Sequence, residues 1–269
     1  MKNTPLTKVW FQPFASSDEY QEMLSNLQIS SQFDMRFRGL YEYYGKEFIA
    51  FKRENPHNPS RNEFLRIFSS YMTDYLEDGC PSSWKDCRPS FWKEFILYYF
   101  PCRMRVTPEQ KEVDRLLPQL IKFVSWLDKR VGTSWSSIVK KYAQEAYFEL
   151  KTCESLLNFL FLIQYPRIFN DDWNATKDID KLEELLSSLH DSFIGYFQIK
   201  EISKNVVIAT NIKDQRIYRI KDLQNNTMAP GFLLHGCIGK RSNEMFWTWC
   251  YTSGVYPKRA KKFILRIND

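Results

Sequence analysis

The chain contains little glycine and little histidine, and it has none of the short motifs that carry common enzyme chemistry. Its 9 glycines form neither a GxxxxGK[ST] nor a GxGxxG phosphate-binding loop, and no G-x-S-x-G nucleophile motif occurs. The 3 histidines, His57, His190 and His235, lie far apart in the sequence, and none belongs to an H-E-x-x-H zinc motif. These absences favour a non-enzymatic protein, and they predict neither a bound metal nor a cofactor.

Long apolar runs are also missing. The longest, residues 156–163, is interrupted by Asn158, whereas a helix needs about 20 apolar residues to span a bilayer. The first 15 residues contain Pro5 and Pro13 and lack the apolar core of a secretory signal. We therefore expect no membrane partner and a cytoplasmic location.

The 6 cysteines form no C-x-x-C pair, and the closest two, Cys80 and Cys87, are seven residues apart. Structural zinc sites typically take ligands from pairs spaced two to four residues apart. We interpret the cysteines as buried or incidental thiols, with a redox or metal role as the alternative. They are Cys80, Cys87, Cys102, Cys153, Cys237 and Cys250.

Positive charge is present, and it is concentrated at one end of the chain. The formal net charge is +6, yet the last 77 residues hold 13 basic and 5 acidic side chains, a local balance of +8. The first 192 residues hold 25 basic and 27 acidic side chains. Such an asymmetry indicates a polyanion partner, with solubility or docking on the acidic part of the chain as alternatives.

Apolar residues recur every three or four positions through most of residues 17–190, which predicts a helical bundle. The motif Ser60-x-x-Glu63 has the form of a capping box and predicts the start of a helix. Thr107 and the proline after it predict the start of another helix, which Gly132 ends. A long helical pattern then runs through residues 134–164.

From Phe193 the period of the apolar pattern changes from 3.6 to 2, which indicates short strands. The strand-like runs are 196–199, 206–208, 217–220, 232–234, 246–249 and 263–265, with turn-forming residues between them. We therefore predict an α+β protein. A helical bundle domain of residues 1–190 precedes a small antiparallel β-barrel-like module, SH3-like or OB-like, at residues 191–269.

The C-terminal module contains the residues that favour polyanion binding: four cations within five positions, two cations in a predicted turn, and two tryptophans on one strand face. Such cations neutralise phosphate groups, and exposed rings beside them stack on unpaired bases. The candidate nucleic-acid-binding residues are Lys240, Arg241, Trp247, Trp249, Lys258, Arg259, Lys261 and Lys262.

A plainer interpretation of these residues stays open. Two tryptophans on one face of a small barrel are often its core, because large side chains fill the interior of such barrels. A basic run is often an ordinary solvated surface. The aromatic helix around Trp92 is compatible with a pocket or with a groove for a protein partner.

The C-terminal stretch resembles a β module of uncharacterised prokaryotic proteins. That module has an entering helix, a Phe-rich strand, a v-l-x-D-l strand, a tyrosine strand, a turn-strand and a tryptophan strand. The matching segments are Ser192-Phe193-x-Gly195-Tyr196-Phe197, Val206-Val207-Ile208, Ile217-Tyr218-Arg219, Ala229-Pro230-Gly231-Phe232-Leu233-Leu234 and Phe246-Trp247, and residues 91–99 resemble the aromatic helix of the same proteins. Asn211 stands where aspartate is more usual. The resemblance covers about a third of the chain and implies a fold without implying a function.

Residues 64–76 and 120–127 also look like helices of the core-binding domain of tyrosine recombinases. A recombinase needs a catalytic domain as well, and the last 77 residues are too few for one. We therefore exclude recombinase activity.

Together these features predict a binding protein whose basic C-terminal module contacts nucleic acid or another acidic surface. A protein–protein adaptor, with the β module packed on the helical bundle, is the main alternative. An enzyme with a pocket between the two domains is the third.

Overall fold

The computed structural model describes residues 14–35, 45–203, 205–223 and 228–267. The chain divides into two compact units, Met1–Glu77 and Asp78–Asp269. The second unit contains both helices and the described sheet, and it carries all of the candidate residues. The predicted domain boundary at residue 190 stays a prediction.

The first unit is helical in its described part. It contains α1 (Ser17–Ser31), α2 (Gly45–Glu54) and α3 (Pro59–Ser70), and α3 continues into a π-helical turn, Tyr71–Leu76. The backbone N–H of Arg61 donates to Oδ1 of Asn58 at 2.9 Å, so Asn58 caps α3. The capping box predicted at Ser60 was wrong, because the helix already begins at Pro59, a residue that favours the first helical position.

The helices of the second unit that precede the sheet are α4 (Pro89–Glu94), α5 (Phe100–Arg103), α6 (Glu112–Val131), α7 (Ser136–Gln164) and α8 (Ala175–Ser187). A π-helical segment, Phe95–Tyr99, joins α4 to α5. None of the helices in the described ranges combines the length and the hydropathy needed to cross a lipid bilayer.

Polar side chains of α7 determine where α6 begins. The fully buried Glu154 accepts a hydrogen bond from the backbone N–H of Glu112 at 2.5 Å and thereby satisfies an amide at the start of α6. Asn158 accepts from the backbone N–H of Thr107 at 3.1 Å. Helix α6 begins at Glu112, so the helix start predicted at Thr107 was wrong. The predicted end at Gly132 is confirmed, since this residue has the left-handed conformation, with φ 71°.

The sheet consists of β1 (Asp191–Ser203), β2 (Val206–Asn211), β3 (Ile217–Lys221), β4 (Leu233–Lys240) and β5 (Trp247–Tyr256). The strands pair in the order β1-β2-β3-β5-β4, and β4 pairs again with β1. The described pairings are antiparallel except for β3–β5, a parallel contact of two residue pairs. The α+β class is confirmed. This short parallel seam does not make a regular barrel, so the SH3-like or OB-like detail stays a prediction.

The chain after β5 is helical. Lys258–Ala260 forms a 3₁₀ turn, and Lys261–Ile267 forms α9. The predicted strand at 263–265 was wrong. The fully buried residues here are Ala260, Phe263 and Ile264, and their spacing of three and four is the period of a helix.

The end of β5 packs on helices of the same unit. The rings of Tyr256 and Tyr98 are stacked with their centroids 5.6 Å apart. The backbone N–H of Thr252 donates to Oε1 of Gln164, at the end of α7, at 3.3 Å. The segment that follows β5 is therefore held against the helical part of the unit.

Candidate functional site

Three of the candidate lysines line one pocket on the segment after β5. Because Ala260, Phe263 and Ile264 point into the core, the cations between them are turned outward. Lys258, Lys261 and Lys262 line a pocket of about 450 Å³ together with Lys93 of α4, and we call it the basic pocket. Its other lining residues are Leu97, Arg259 and Leu265.

Two ammonium groups meet beside the basic pocket. Nζ of Lys261 and Nζ of Lys200, on β1, both donate to Oε1 of Gln198, at 3.2 and 3.1 Å. The two positive charges are therefore separated by about 6 Å at most. The amide oxygen between them is neutral, and no carboxylate of the described residues forms an ion pair with either lysine. Oxygens of one phosphate group can accept hydrogen bonds from both.

The other lysines of the basic pocket rest on aromatic rings. Nζ of Lys93 lies 4.4 Å from the ring centroid of Tyr142, and Nζ of Lys262 lies 4.7 Å from that of Phe263. Such cation–π contacts stabilise the side chains without compensating their charge. Among the residues that the structure describes, no carboxylate pairs with Lys93, Lys258 or Lys262.

Arg259 differs from its neighbours because its guanidinium is bound to α7. Nη2 donates to the carbonyl oxygen of Glu145 at 2.7 Å. Nη1 lies 3.5 Å from a carboxylate oxygen of Glu145, and Nε lies 3.6 Å from one of Glu149. Its charge is compensated, so Arg259 positions the basic pocket instead of adding to its charge.

The structure does not bring Lys240, Arg241 and Trp247 to the basic pocket. Lys240 ends β4, Arg241 lies in the following turn, and Trp247 begins β5, whereas the pocket follows the other end of β5. This ten-residue strand, at most about 30 Å long at about 3.3 Å per residue, lies between the two groups. The structure therefore does not gather the eight candidate residues at one site: four line the basic pocket, three lie at the start of β5, and Trp249 lines a separate cavity beneath α8.

The two candidate tryptophans are half-buried and pack within the β module. The ring of Trp247 meets the buried Tyr218 edge-on at 5.1 Å, and that of Trp249 meets Phe197 at 5.7 Å. Nε1 of Trp249 donates to the hydroxyl of Thr252 at 2.8 Å. These contacts hold both rings in the sheet, and they do not form an open stacking platform beside the lysines.

His235 does not belong to the basic pocket either. Its ring stacks on Tyr196 at 4.1 Å, and burial lowers the pKa of the imidazole. Across the described ranges, no group of three or more His, Cys, Asp or Glu side chains is placed to hold a metal ion.

Lys93 and Lys200 were not among the residues predicted from the sequence. Lys93 comes from a helix far upstream, and nothing in its sequence neighbourhood distinguishes it from a surface lysine. Lys200 and Gln198 are two residues apart on β1, but Lys200 lies at a bulge between Ile199 and Glu201, where strand alternation alone does not fix the direction of a side chain. Their meeting with Lys261 is a property of the tertiary fold.

Comparison with known proteins adds no functional assignment. The chain matches no protein-family model, and no curated protein or solved structure is significantly similar to it. The interpretation therefore depends on the geometry of the basic pocket and of Lys200.

Proposed function

We propose that the chain binds a phosphate-bearing polyanion, with nucleic acid as the favoured ligand, through the basic pocket and the adjacent Lys200. The observation that carries the proposal is the acceptor shared by Lys200 and Lys261. It holds two ammonium groups within about 6 Å of each other, with no carboxylate partner among the described residues. Like charges at this distance repel each other, and a phosphate group between them removes the repulsion.

The composition of the basic pocket favours contacts with phosphates over contacts with bases. Its lining consists of cations and two leucines, and the rings of Tyr142 and Phe263 are covered by ammonium groups. Phosphate contacts fix position on a nucleic acid without identifying its sequence. We therefore expect comparable affinity for nucleic acids of different sequence.

The salt dependence of binding tests this proposal. The pocket lysines and Lys200 contribute five cations, so log K for a random-sequence duplex should fall against log salt with a slope of about −4.5. Fluorescence anisotropy of the full chain with a labelled duplex, at salt concentrations from about 50 to about 200 mM, measures the slope. A slope near zero would contradict the proposal.

A matched pair of variants tests which end of β5 binds the polyanion. The triple substitution Lys200→Gln, Lys258→Gln and Lys261→Gln should reduce the magnitude of the slope by about 3, since each lost phosphate contact removes about 1. The double substitution Lys240→Gln and Arg241→Gln, at the opposite end of the strand, should leave it unchanged. An equal loss in both variants would show that the basic pocket is not the binding site.

The adaptor alternative has one observation in its favour. Phe148 of α7 is 80% exposed beside a groove of about 410 Å³ between α6 and α7, lined by Leu117, Pro118 and Ile121 among others. Exposed apolar patches of this kind often mark protein interfaces. If the adaptor function is correct, Phe148→Ser should weaken partner binding, and the triple lysine variant should not.

We also propose a barrel type for the sheet and a cellular compartment for the protein. The return of β4 to β1 supports a small barrel related to the SH3-like or OB-like kind, and folds of the OB kind bind nucleic acids elsewhere. A cytoplasmic location is consistent with such a ligand.

A further inference from the structure

A second cavity lies between helix α8, the end of α7 and the sheet. Its volume is about 430 Å³, within the range of pockets that enclose small molecules. Three parts of the chain supply its apolar walls: Leu160 comes from α7, Leu182 and Leu185 come from α8, and Leu223 follows β3. We call it the α8 cavity.

Helix α8 covers this cavity without packing tightly on the rest of the unit. None of its residues is buried, and Leu182 and Leu185, which line the cavity, are only half-buried. The chain just after α8 is fixed, because the side chain of Leu189 lies against Gly239 so closely that a Cβ atom there would clash with it. The helix is therefore held above a space in which an apolar molecule would bury both leucines.

The α8 cavity reaches the sheet at the point where β3 and β5 separate. The last residue pair of their parallel seam is Lys221 with Thr248. The next residue on β3's side, Asp222, has a left-handed backbone with φ 57°, a conformation that aspartate adopts more readily than most residues. Asp222 and Trp249, which follow the last pair on either side, both line the cavity. The end of the seam thus places an acidic residue at the cavity.

The charge of Asp222 is not compensated. Among the described residues, two carboxylates and one ammonium group line the cavity, a net charge of −1. Asp178 accepts from Nε1 of Trp173 at 2.8 Å and lies 3.3 Å from Nζ of Lys181, so the charges of Asp178 and Lys181 offset each other. Asp222 is exposed, and its carboxylate has neither an ion pair nor a hydrogen bond with any described residue. The cavity therefore attracts the opposite charge to the basic pocket.

We propose that the α8 cavity binds a small organic cation, with its apolar body among the leucines and its ammonium group beside Asp222. Tyr165 and Trp249 are also part of the lining, and aromatic residues attract organic cations through the negative face of the ring. Burial of the apolar body supplies most of the affinity, whereas the carboxylate selects the charge of the ligand. A neutral molecule of the same shape binds more weakly, and an anion binds most weakly.

Three probes that differ in charge but share a straight apolar body test this selection: octylammonium, octanol and octanoate. Isothermal titration calorimetry of the full chain with each probe measures the three affinities. We expect octylammonium to bind about threefold to fivefold more tightly than octanol, as one exposed ion pair allows. The absence of binding by octylammonium at millimolar concentration would overturn the proposal, as would equal affinity for the three probes.

A matched pair of variants tests the role of Asp222. Asp222→Asn removes the charge and keeps the backbone conformation, since asparagine also adopts the left-handed region readily. The affinity for octylammonium should fall to that for octanol, and the affinity for octanol should stay unchanged. Asp180→Asn makes the same charge change at an exposed position of α8 outside the lining and should keep the preference for the cation. A preference that persists in Asp222→Asn would contradict the assignment.

Hydrogen exchange shows whether the probe occupies the α8 cavity. Saturating octylammonium should slow exchange of the backbone amides of Ala175–Ser187, because the ligand stabilises the closed position of α8. Leu182→Trp fills the space beneath the helix and should abolish binding of octylammonium and octanol, with the urea midpoint as the check on folding. Binding without slower exchange in α8 would overturn the proposal even if this variant fails to fold. The result does not depend on polyanion binding, because the two sites share no lining residue.

Discussion

Lys200 on β1 and Lys261 on α9 donate hydrogen bonds to the same atom, Oε1 of Gln198. An amide oxygen can accept from both ammonium groups but leaves their charge uncompensated. A negative charge at position 198 would lie within hydrogen-bond distance of both ammonium groups, so Gln198 is a suitable residue to substitute.

We expect Gln198→Glu to weaken polyanion binding without weakening the fold. The new carboxylate would pair with Lys200 and Lys261 and compete with phosphate for both, so the salt slope should lose about 2 units. Anisotropy titrations across salt concentrations check this. Gln28→Glu, at an exposed position of α1, makes the same charge change and should have little effect. Equal affinity of the Gln198→Glu variant and the wild type would place the ligand elsewhere.

We expect Arg259→Gln to lower stability more than it lowers the salt slope. The substitution removes the bonds to Glu145 and leaves Glu149 without its cation, at a cost of about 1–2 kcal/mol in the free energy of unfolding. Urea denaturation measures this cost. Arg241→Gln, in an exposed turn, should change stability by less than about 0.5 kcal/mol. If Arg259→Gln instead reduced the magnitude of the salt slope by about 1 and left stability unchanged, Arg259 would be a phosphate ligand.

We expect His235 to make the fold less stable in mild acid. Burial lowers the pKa of His235 in the folded chain, so the unfolded chain takes up the proton first as pH falls below the ordinary value of 6.5. This contribution to stability is complete above that pH and is lost as pH falls towards the folded pKa. His235→Phe keeps a ring against Tyr196 but does not titrate, so its stability should fall less between about pH 7 and pH 5.

Urea midpoints across this pH range compare the two proteins. His57→Gln changes a histidine in an exposed loop and should follow the wild type. If His235→Phe and wild type lose stability in parallel, protonation of His235 does not contribute to acid sensitivity.

Local signals predicted the parts of the fold that depend on neighbouring residues. Gly132 ends its helix as expected, because the left-handed conformation it adopts strains any side chain with a Cβ atom. The triplet Phe263-Ile264-Leu265 misled because three consecutive apolar residues have no period. Only the burial of Ala260, three residues before the triplet, reveals the helix.

The candidate site was predictable only where its residues are neighbours in sequence. Lys258, Lys261 and Lys262 fall on one pocket because they belong to one turn and one short helix. Lys93 reaches that pocket from a helix whose position follows from packing over many residues. Conversely, Lys240 seemed close to the cluster in sequence, but the length of the intervening strand places it at the other end of the sheet.

The contacts between Arg259 and α7 limit how far the protein can be truncated from its N-terminus. A fragment of residues 191–269 would lack Lys93, would leave the guanidinium of Arg259 without Glu145 and Glu149, and would expose the face of Tyr256 that Tyr98 covers. The smallest fragment that retains the complete basic pocket must therefore start upstream of Pro89, and a truncation at the beginning of the sheet would remove the site together with the helices.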